Sequence, residues 1–238
     1  MRPAALLLAC ALPWQVHAAQ PPLRFIAPMN HAMPFGRFEQ GHLTAGIVKD
    51  ISDHIAARLG REIEYVPVPP RRVSQVLAAG TADGVCYVAR DWIDGDFHWS
   101  PPVLEHVGVV AAHPQAPAVV SLQQLAGLPL GTVYAYRYPQ FERALGAQFV
   151  RDDAPSMLIN LRKLAAHRVD YALTERITLE YHNKLQPGDG LKAALQTSPY
   201  RTHCAFTRAH ELPLQQLDQA VRDMVRDGSV ERILARYR

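Results

Sequence analysis

Beyond its first residues this sequence has no long apolar run, and that lack excludes a membrane-spanning helix; even the opening stretch Ala4 to Trp14 is too short to cross a bilayer. The strong catalytic signatures are missing too: there is no G-x-S-x-G elbow, no H-E-x-x-H, no phosphate-binding P-loop and no G-x-G-x-x-G after a strand. Their joint absence argues against the common hydrolases and nucleotide enzymes. Charge of one sign is also scarce. The 25 basic residues face 22 acidic ones, spread evenly, which does not suit a nucleic-acid or membrane-surface protein. Cysteine is limited to three, and the eleven histidines are scattered without metal-ligand spacing. No cofactor is implied.

The opening "MRPAALLLACALPWQVHA" carries one positive charge, an apolar core and small residues in an A-x-A-like pattern at Val16 and Ala18. This reads as a signal peptide over residues 1–18, cleaved after Ala18 or Ala19, and it implies export to the periplasm. Cys10 in "LLAC" also allows a lipoprotein signal, but more apolar sequence follows it. Cleavage after Ala18 removes Arg2 and leaves 24 basic and 22 acidic residues, a formal charge of +2, with Cys86 and Cys204 the remaining cysteines. An exported chain with two cysteines invites a disulfide, although spacing alone does not show that they meet.

Apolar strand-like runs then alternate with amphipathic helical segments. "LRFIAP" at 23–28 reads as a strand; Ile47, Ile51, Ile55 and Leu59 share one helical face, and Gly60 follows as a C-terminal cap. "EIEYVPV", "GVCYVA" and "HVGVVAA" read as strands, with a short helix through Val73, Val76 and Leu77. A second series starts after "HPQAP". It comprises a short helix capped by Ser121, the strand "LGTVYA", the helix "PQFERAL", a helix capped by Asp153 and carrying Leu158, Leu161 and Leu164, and the strand "VDYAL". "HCAFTR", a helix from about Pro213 and a last helix after Gly228 complete the chain. The repeated βα order predicts an α/β protein of two lobes joined by two crossings, with a cleft at the C-terminal strand ends. The acidic run "RDWIDGDFHW" matches no metal loop and reads as a solvated segment.

Several segments together resemble the extracellular solute-binding protein family 3, the periplasmic receptors of polar amino acid ABC transporters. They are "LTAGIVKDISDHIAARLG", "VLAAGTADG", "FHWSPPV", "LAGLPLGTVYAY", "LRKLAAHRVDYALTE" and "VRDMVRDGSVERILARY", in the family's order along nearly the whole chain after the leader. The resemblance implies a type II periplasmic binding fold, two lobes with a hinge and an interlobe cleft. The first lobe would comprise residues 19–105 and 200–238, the second residues 106–199. It also implies a small-molecule ligand, an ABC permease or sensor as partner, a monomer, and "HCAFTR" beside "GVCYVA", where a Cys86–Cys204 disulfide is geometrically reasonable.

This chain departs from the family at the arginine that grips a ligand α-carboxylate. Counted from either side, that position falls on Ile93 or Gly95, and Arg90 stands where a cleft-lining Thr is usual. The resemblance otherwise carries ligand contacts onto Phe35, as the stacking aromatic, and onto Tyr136 and Arg137, near the Gly-Thr-Thr loop. It carries the ammonium-binding role of an Asp onto Glu175, five residues after Asp170. Arg72 of "PPRR", at the lip of the first lobe, and Arg90 complete the candidate set. The expectation is a non-catalytic receptor for a small polar ligand, amino-acid-like or a small carboxylate. The alternative is an enzyme like periplasmic cyclohexadienyl dehydratase, with Glu175 as general acid.

Overall fold

The computed structural model describes residues 20–238, so the signal-peptide reading lies outside the described residues. The elements are, in order, β1 (Leu23–Pro28), β2 (Arg37–Glu39), β3 (His42–Ala45), α1 (Ile47–Arg58), β4 (Ile63–Val68), α2 (Val73–Ala78), β5 (Gly84–Val88), β6 (His98–Trp99), β7 (Leu104–Ala112), β8 (Pro129–Val133), α3 (Pro139–Leu145), β9 (Val150–Ala154), α4 (Met157–Ala165), β10 (Tyr171–Glu175), α5 (Arg176–Leu185), β11 (Lys192–Phe206), α6 (Leu214–Arg226) and α7 (Ser229–Ala235).

The main sheet runs β4-β1-β5-β11-β7-β10-β8-β9. In the first lobe β4, β1 and β5 are parallel, and β11 lies antiparallel to β5; in the second, β10, β8 and β9 are parallel, with β7 antiparallel to β10. The antiparallel pair β7 and β11 joins the two sets, from Thr202 opposite Leu104 to Lys192 opposite Ala112. These are the two crossings. Each half-sheet is covered on both faces by an apolar cluster, as parallel βα units require.

Local chemistry explains most element boundaries. In α1, Ile47, Ile51 and Ile55 are at most 1% exposed, and Leu59 ends the helix with Gly60 at φ +63°, a left-handed position that glycine occupies without strain. Burial of each isoleucine contributes about 1.5–3 kcal/mol. The N-cap of α4 is Ser156, whose hydroxyl accepts from the Ile159 amide at 3.4 Å, and not Asp153. Pro155 holds Ala154 extended, so β9 runs on to Ala154 and the helix begins only afterwards. Asp153 instead lies within β9 and accepts from Thr132 Oγ1 at 2.6 Å. Leu161 and Leu164 are buried in the second-lobe core, whereas Leu158 faces solvent.

Cys86 and Cys204 face one another across β5 and β11, with their sulfurs bonded. The pairing around them is irregular, for His203 opposes Val88 and Cys204 opposes Cys86, so that Tyr87 is an extra residue, a β-bulge. Tyr87 takes φ +66°, a left-handed conformation uncommon for a bulky side chain. The bulge also shifts the alternation of the strand. Val85 and Val88 join one apolar cluster, while Cys86 and Tyr87 join the other.

Candidate functional site

A cleft of about 300 Å³ opens between the lobes. It is bordered by the segments that follow the C-terminal ends of β1, β5, β8 and β10, the place where open α/β sheets bind ligands. The first-lobe side presents Asn30, Tyr87 and Trp92; the second-lobe side presents Tyr136, Arg137, Tyr138, Thr174 and Glu175, and Tyr200 reaches in from β11.

The second-lobe jaw is "VYAYRYP", and its three tyrosines do different work. Tyr134 faces outward, 43% exposed, and carries the Arg71 guanidinium over its ring at 4.3 Å. Tyr136 lines the cleft. The Tyr138 hydroxyl accepts from the Val133 amide at 2.9 Å, closing the loop on itself. Arg151 pins the same loop from below, donating to the carbonyls of Tyr136 and Val133 at 2.9 Å each. A guanidinium fork holding two carbonyls makes this jaw a rigid platform.

Contacts across the cleft hold the two lobes together. Arg137 donates Nη1 to Asp94 Oδ1 at 2.9 Å and to the Asp91 carbonyl at 3.2 Å, and its Nη2 meets Asp94 Oδ2 as well. The Met157 amide donates to the Asn30 carbonyl at 3.2 Å. Arg71 on Tyr134 is a third link.

Glu175 ends β10 and borders the cleft floor. Its carboxylate accepts from Thr178 Oγ1 at 3.3 Å, and no ion pair with it occurs among the described residues. The side chain keeps some surface toward the cleft, but protein encloses the carboxyl on its other sides. Burial therefore pushes its pKa up, against the opposing pull of the hydrogen bonds it accepts. The hydroxyls of Tyr87, Tyr136, Tyr138 and Tyr200 are also driven up, first by burial and then by the nearby Glu175 charge, with the Val133 amide opposing the rise at Tyr138. His31 and His106, against the same aromatic group, are lowered to about 4 and about 3 by burial and are neutral at physiological pH.

Three of the expected residues, Tyr136, Arg137 and Glu175, meet at the cleft. The other three do not. Arg90 turns away and lies over the Trp99 ring at 5.1 Å, because the bulge at Tyr87 moves Val88, and Arg90 two residues on, to the Trp99 side of the strand. Arg72 points to solvent; in the short 3₁₀ turn Pro70–Arg72 adjacent side chains diverge by a third of a turn, and it is Arg71 that faces the second lobe. Phe35 is buried behind the floor, its ring stacked on Tyr87 at 4.0 Å; Tyr87 meets the cleft in its place, and Phe35 borders only a small second cavity that it shares with Tyr136 and Glu175.

Sequence reasoning missed Tyr87, Trp92, Tyr200, Asn30 and Thr174. Tyr87 sits in an apolar strand and reads as core until the bulge turns it. Tyr200 lies midway along β11, ahead of its buried apolar end, where the sequence lacks a strand-like pattern. Two of the three aspartates of "RDWIDGDFHW" are engaged in ion pairs, Asp94 with Arg137 and Asp96 with Arg208, while His98 meets Asp218.

Two α/β lobes, two antiparallel crossings and a cleft at the strand ends define a type II periplasmic binding protein. The chain matches the bacterial extracellular solute-binding proteins, family 3, over residues 26–238, and it belongs to that family. No curated protein matches it in sequence. Among solved structures it is similar to the arginine-, lysine-, histidine-binding protein ArtJ from the thermophilic bacterium Geobacillus stearothermophilus (16% identity, 92% of this chain and 95% of that one, TM-score 0.75). It is also similar to the ancestral amino acid-binding protein AncCDT-1, a precursor of cyclohexadienyl dehydratase (15%, 90% and 94%, TM-score 0.76). A third is a histidine kinase sensor domain with similarity to periplasmic binding proteins (17%, 92% and 96%, TM-score 0.75). At these identities the likeness shows the fold.

Proposed function

We propose that this protein is a periplasmic receptor that captures a small polar ligand between its lobes and reports the closed state to an ABC permease or a membrane sensor. The observation that carries this reading is the cleft itself, where both lobes contribute polar and aromatic groups to one enclosed volume and contacts such as Arg137 to Asp94 span its mouth. Ligand binding would favour the closed arrangement by adding contacts to both jaws at once. The signal peptide read over residues 1–18, residues 19–105 and 200–238 as first lobe, and residues 106–199 as second lobe belong to the same proposal.

A thermal-shift screen of amino acids, amines and small carboxylates, followed by small-angle scattering, tests it. A binder should raise Tm and reduce the radius of gyration. If no compound of any charge does either, the receptor reading fails. Permease and ATPase genes beside the coding sequence would favour uptake, and a kinase gene sensing.

A catalytic second reading rests on Glu175, an enclosed carboxyl with a raised pKa and so able to hold a proton beside a bound molecule. Incubation with prephenate or arogenate decides: aromatic product formed by the wild type and lost in Glu175→Gln would make the protein a dehydratase.

A further inference from the structure

The charge at the cleft floor is unbalanced. The floor carries the carboxylate of Glu175, and the arginines around it are otherwise engaged. Arg137 is held by Asp94, Arg71 lies on Tyr134, Arg90 lies on Trp99, and Arg151 lies beneath the jaw loop, bonded to its carbonyls. Arg143 borders the cleft only from the exposed face of α3. A free carboxylate on the ligand would therefore meet Glu175, tyrosine rings and neutral histidines, with no buried arginine fork to receive it.

Around Glu175 the walls are aromatic. Trp92 touches Tyr87 edge-on with ring centres 5.9 Å apart and Tyr200 at 5.5 Å, and Tyr136 closes the opposite side from the second lobe. The electron-rich faces of such rings attract a cation held within about 6 Å, most strongly where water is displaced. Independent of these rings, polar atoms in the same cleft are buried and unpartnered: both side-chain atoms of Asn30 and the Thr174 hydroxyl. Buried polar groups in folded proteins are nearly always satisfied, so these three atoms, gathered in one cleft, point to a ligand that would complete them.

Resting on the receptor reading above, we infer that the ligand is an organic cation, an amine or quaternary ammonium with an apolar substituent and no carboxylate. Its charge is held by Glu175 within the cage of Tyr87, Trp92, Tyr136 and Tyr200. The apolar part lies against Met157, Leu173 and Val109, which line the same cleft. The amide of Asn30 and the Thr174 hydroxyl supply the remaining hydrogen bonds.

Isothermal titration with phenethylamine, phenylalanine and phenylacetate, alike in their phenyl group and different in charge, tests the inference. Choline serves as the quaternary probe. Phenethylamine or choline should bind at least tenfold more tightly than phenylalanine, and phenylacetate should not bind. Glu175→Gln and Trp92→Leu, each shown to be folded by circular dichroism, should each weaken the bound cation by at least tenfold. Tighter binding of phenylalanine or phenylacetate than of either cation would overturn the cation assignment while leaving the receptor reading standing. Cation binding that both variants leave unchanged would place the ligand elsewhere and overturn it equally. Failure of all four probes overturns this assignment; the receptor reading falls only if the broad screen above also finds no ligand.

Discussion

Arg137 of the second lobe donates to Asp94 of the first, Nη1 to Oδ1 at 2.9 Å, and this hydrogen bond holds the Asp94 carboxyl below its usual pKa. The pair spans the mouth of the cleft and uses up the cation that the jaw sequence offers a ligand.

The first prediction concerns that pair. Because both side chains are exposed to water, the contact adds little to folding stability and is screened by salt. Arg137→Ala should leave Tm nearly unchanged yet enlarge the ligand-free radius of gyration in low salt by opening the hinge. An unchanged scattering profile would mean that other contacts keep the lobes shut.

Glu175→Gln should stabilise the ligand-free protein at neutral pH while weakening cation capture by at least tenfold. The folded-state pKa of Glu175 lies above its ordinary value of 4.5, so the folded state holds the proton more firmly than the unfolded chain does. Stability is then lost as pH rises from about 4.5 through the folded pKa, by about 1.4 kcal/mol for each pH unit that separates the two values, and glutamine escapes that loss. Melting curves at pH 4 and pH 7.5 should show the variant gaining on the wild type only at the higher pH.

His106 gives the opposite sign. Its pKa falls from 6.5 to about 3 in the folded protein, because burial among Tyr87, Phe35 and Tyr200 leaves the charged form without water. The unfolded chain takes up a proton that the folded one refuses, so stability declines as pH drops from about 6.5 toward 3. His31, lowered to about 4, adds to the same slope. His106→Phe should flatten the fall of Tm over this range; a slope equal to the wild type's would assign it to other groups.

The bond between Cys86 and Cys204 closes a loop with a sequence separation of 118. Constraint of the unfolded chain by a loop of that size is worth about 3–5 kcal/mol, or on the order of 10 °C in Tm for a chain of this length. Both sulfurs are buried, so reductant should act only as the protein unfolds. Cys86→Ser/Cys204→Ser should melt lower by about that amount and become indifferent to reductant in a scan.

Glu175 and Tyr136 were legible in the sequence because each follows a strand whose end is written in the local pattern: "VDYAL" before one, "LGTVYA" before the other. The helical face of α1 was legible from its four-residue apolar spacing, and that of α6 only in part: the apolar spacing sets Val225 beside Leu214, Leu217 and Val221 on one face, but Leu217 and Val221 are buried while Val225 is exposed and Met224 packs in the core. Arg90 and Tyr87 were not, since the face each takes depends on a single extra residue in the pairing of β5 with β11, strands whose paired cysteines are 118 residues apart. The long strand β11 was half hidden, because its first part alternates poorly and is defined by pairing with β7.

By itself, then, the sequence determined the alternation of strands and helices, the two-lobed architecture and the carboxylate at the end of β10. These follow from hydrophobic period and cap residues, which act over a few neighbours. Only the tertiary structure decided which side chains meet. A bulge turned Tyr87 into the cleft and Arg90 out of it, an ion pair across the lobes engaged Arg137, and Trp92 and Tyr200 were brought together from far apart in the chain. Register, packing and charge pairing between distant segments carry no local signature, and they set the chemistry of this cleft.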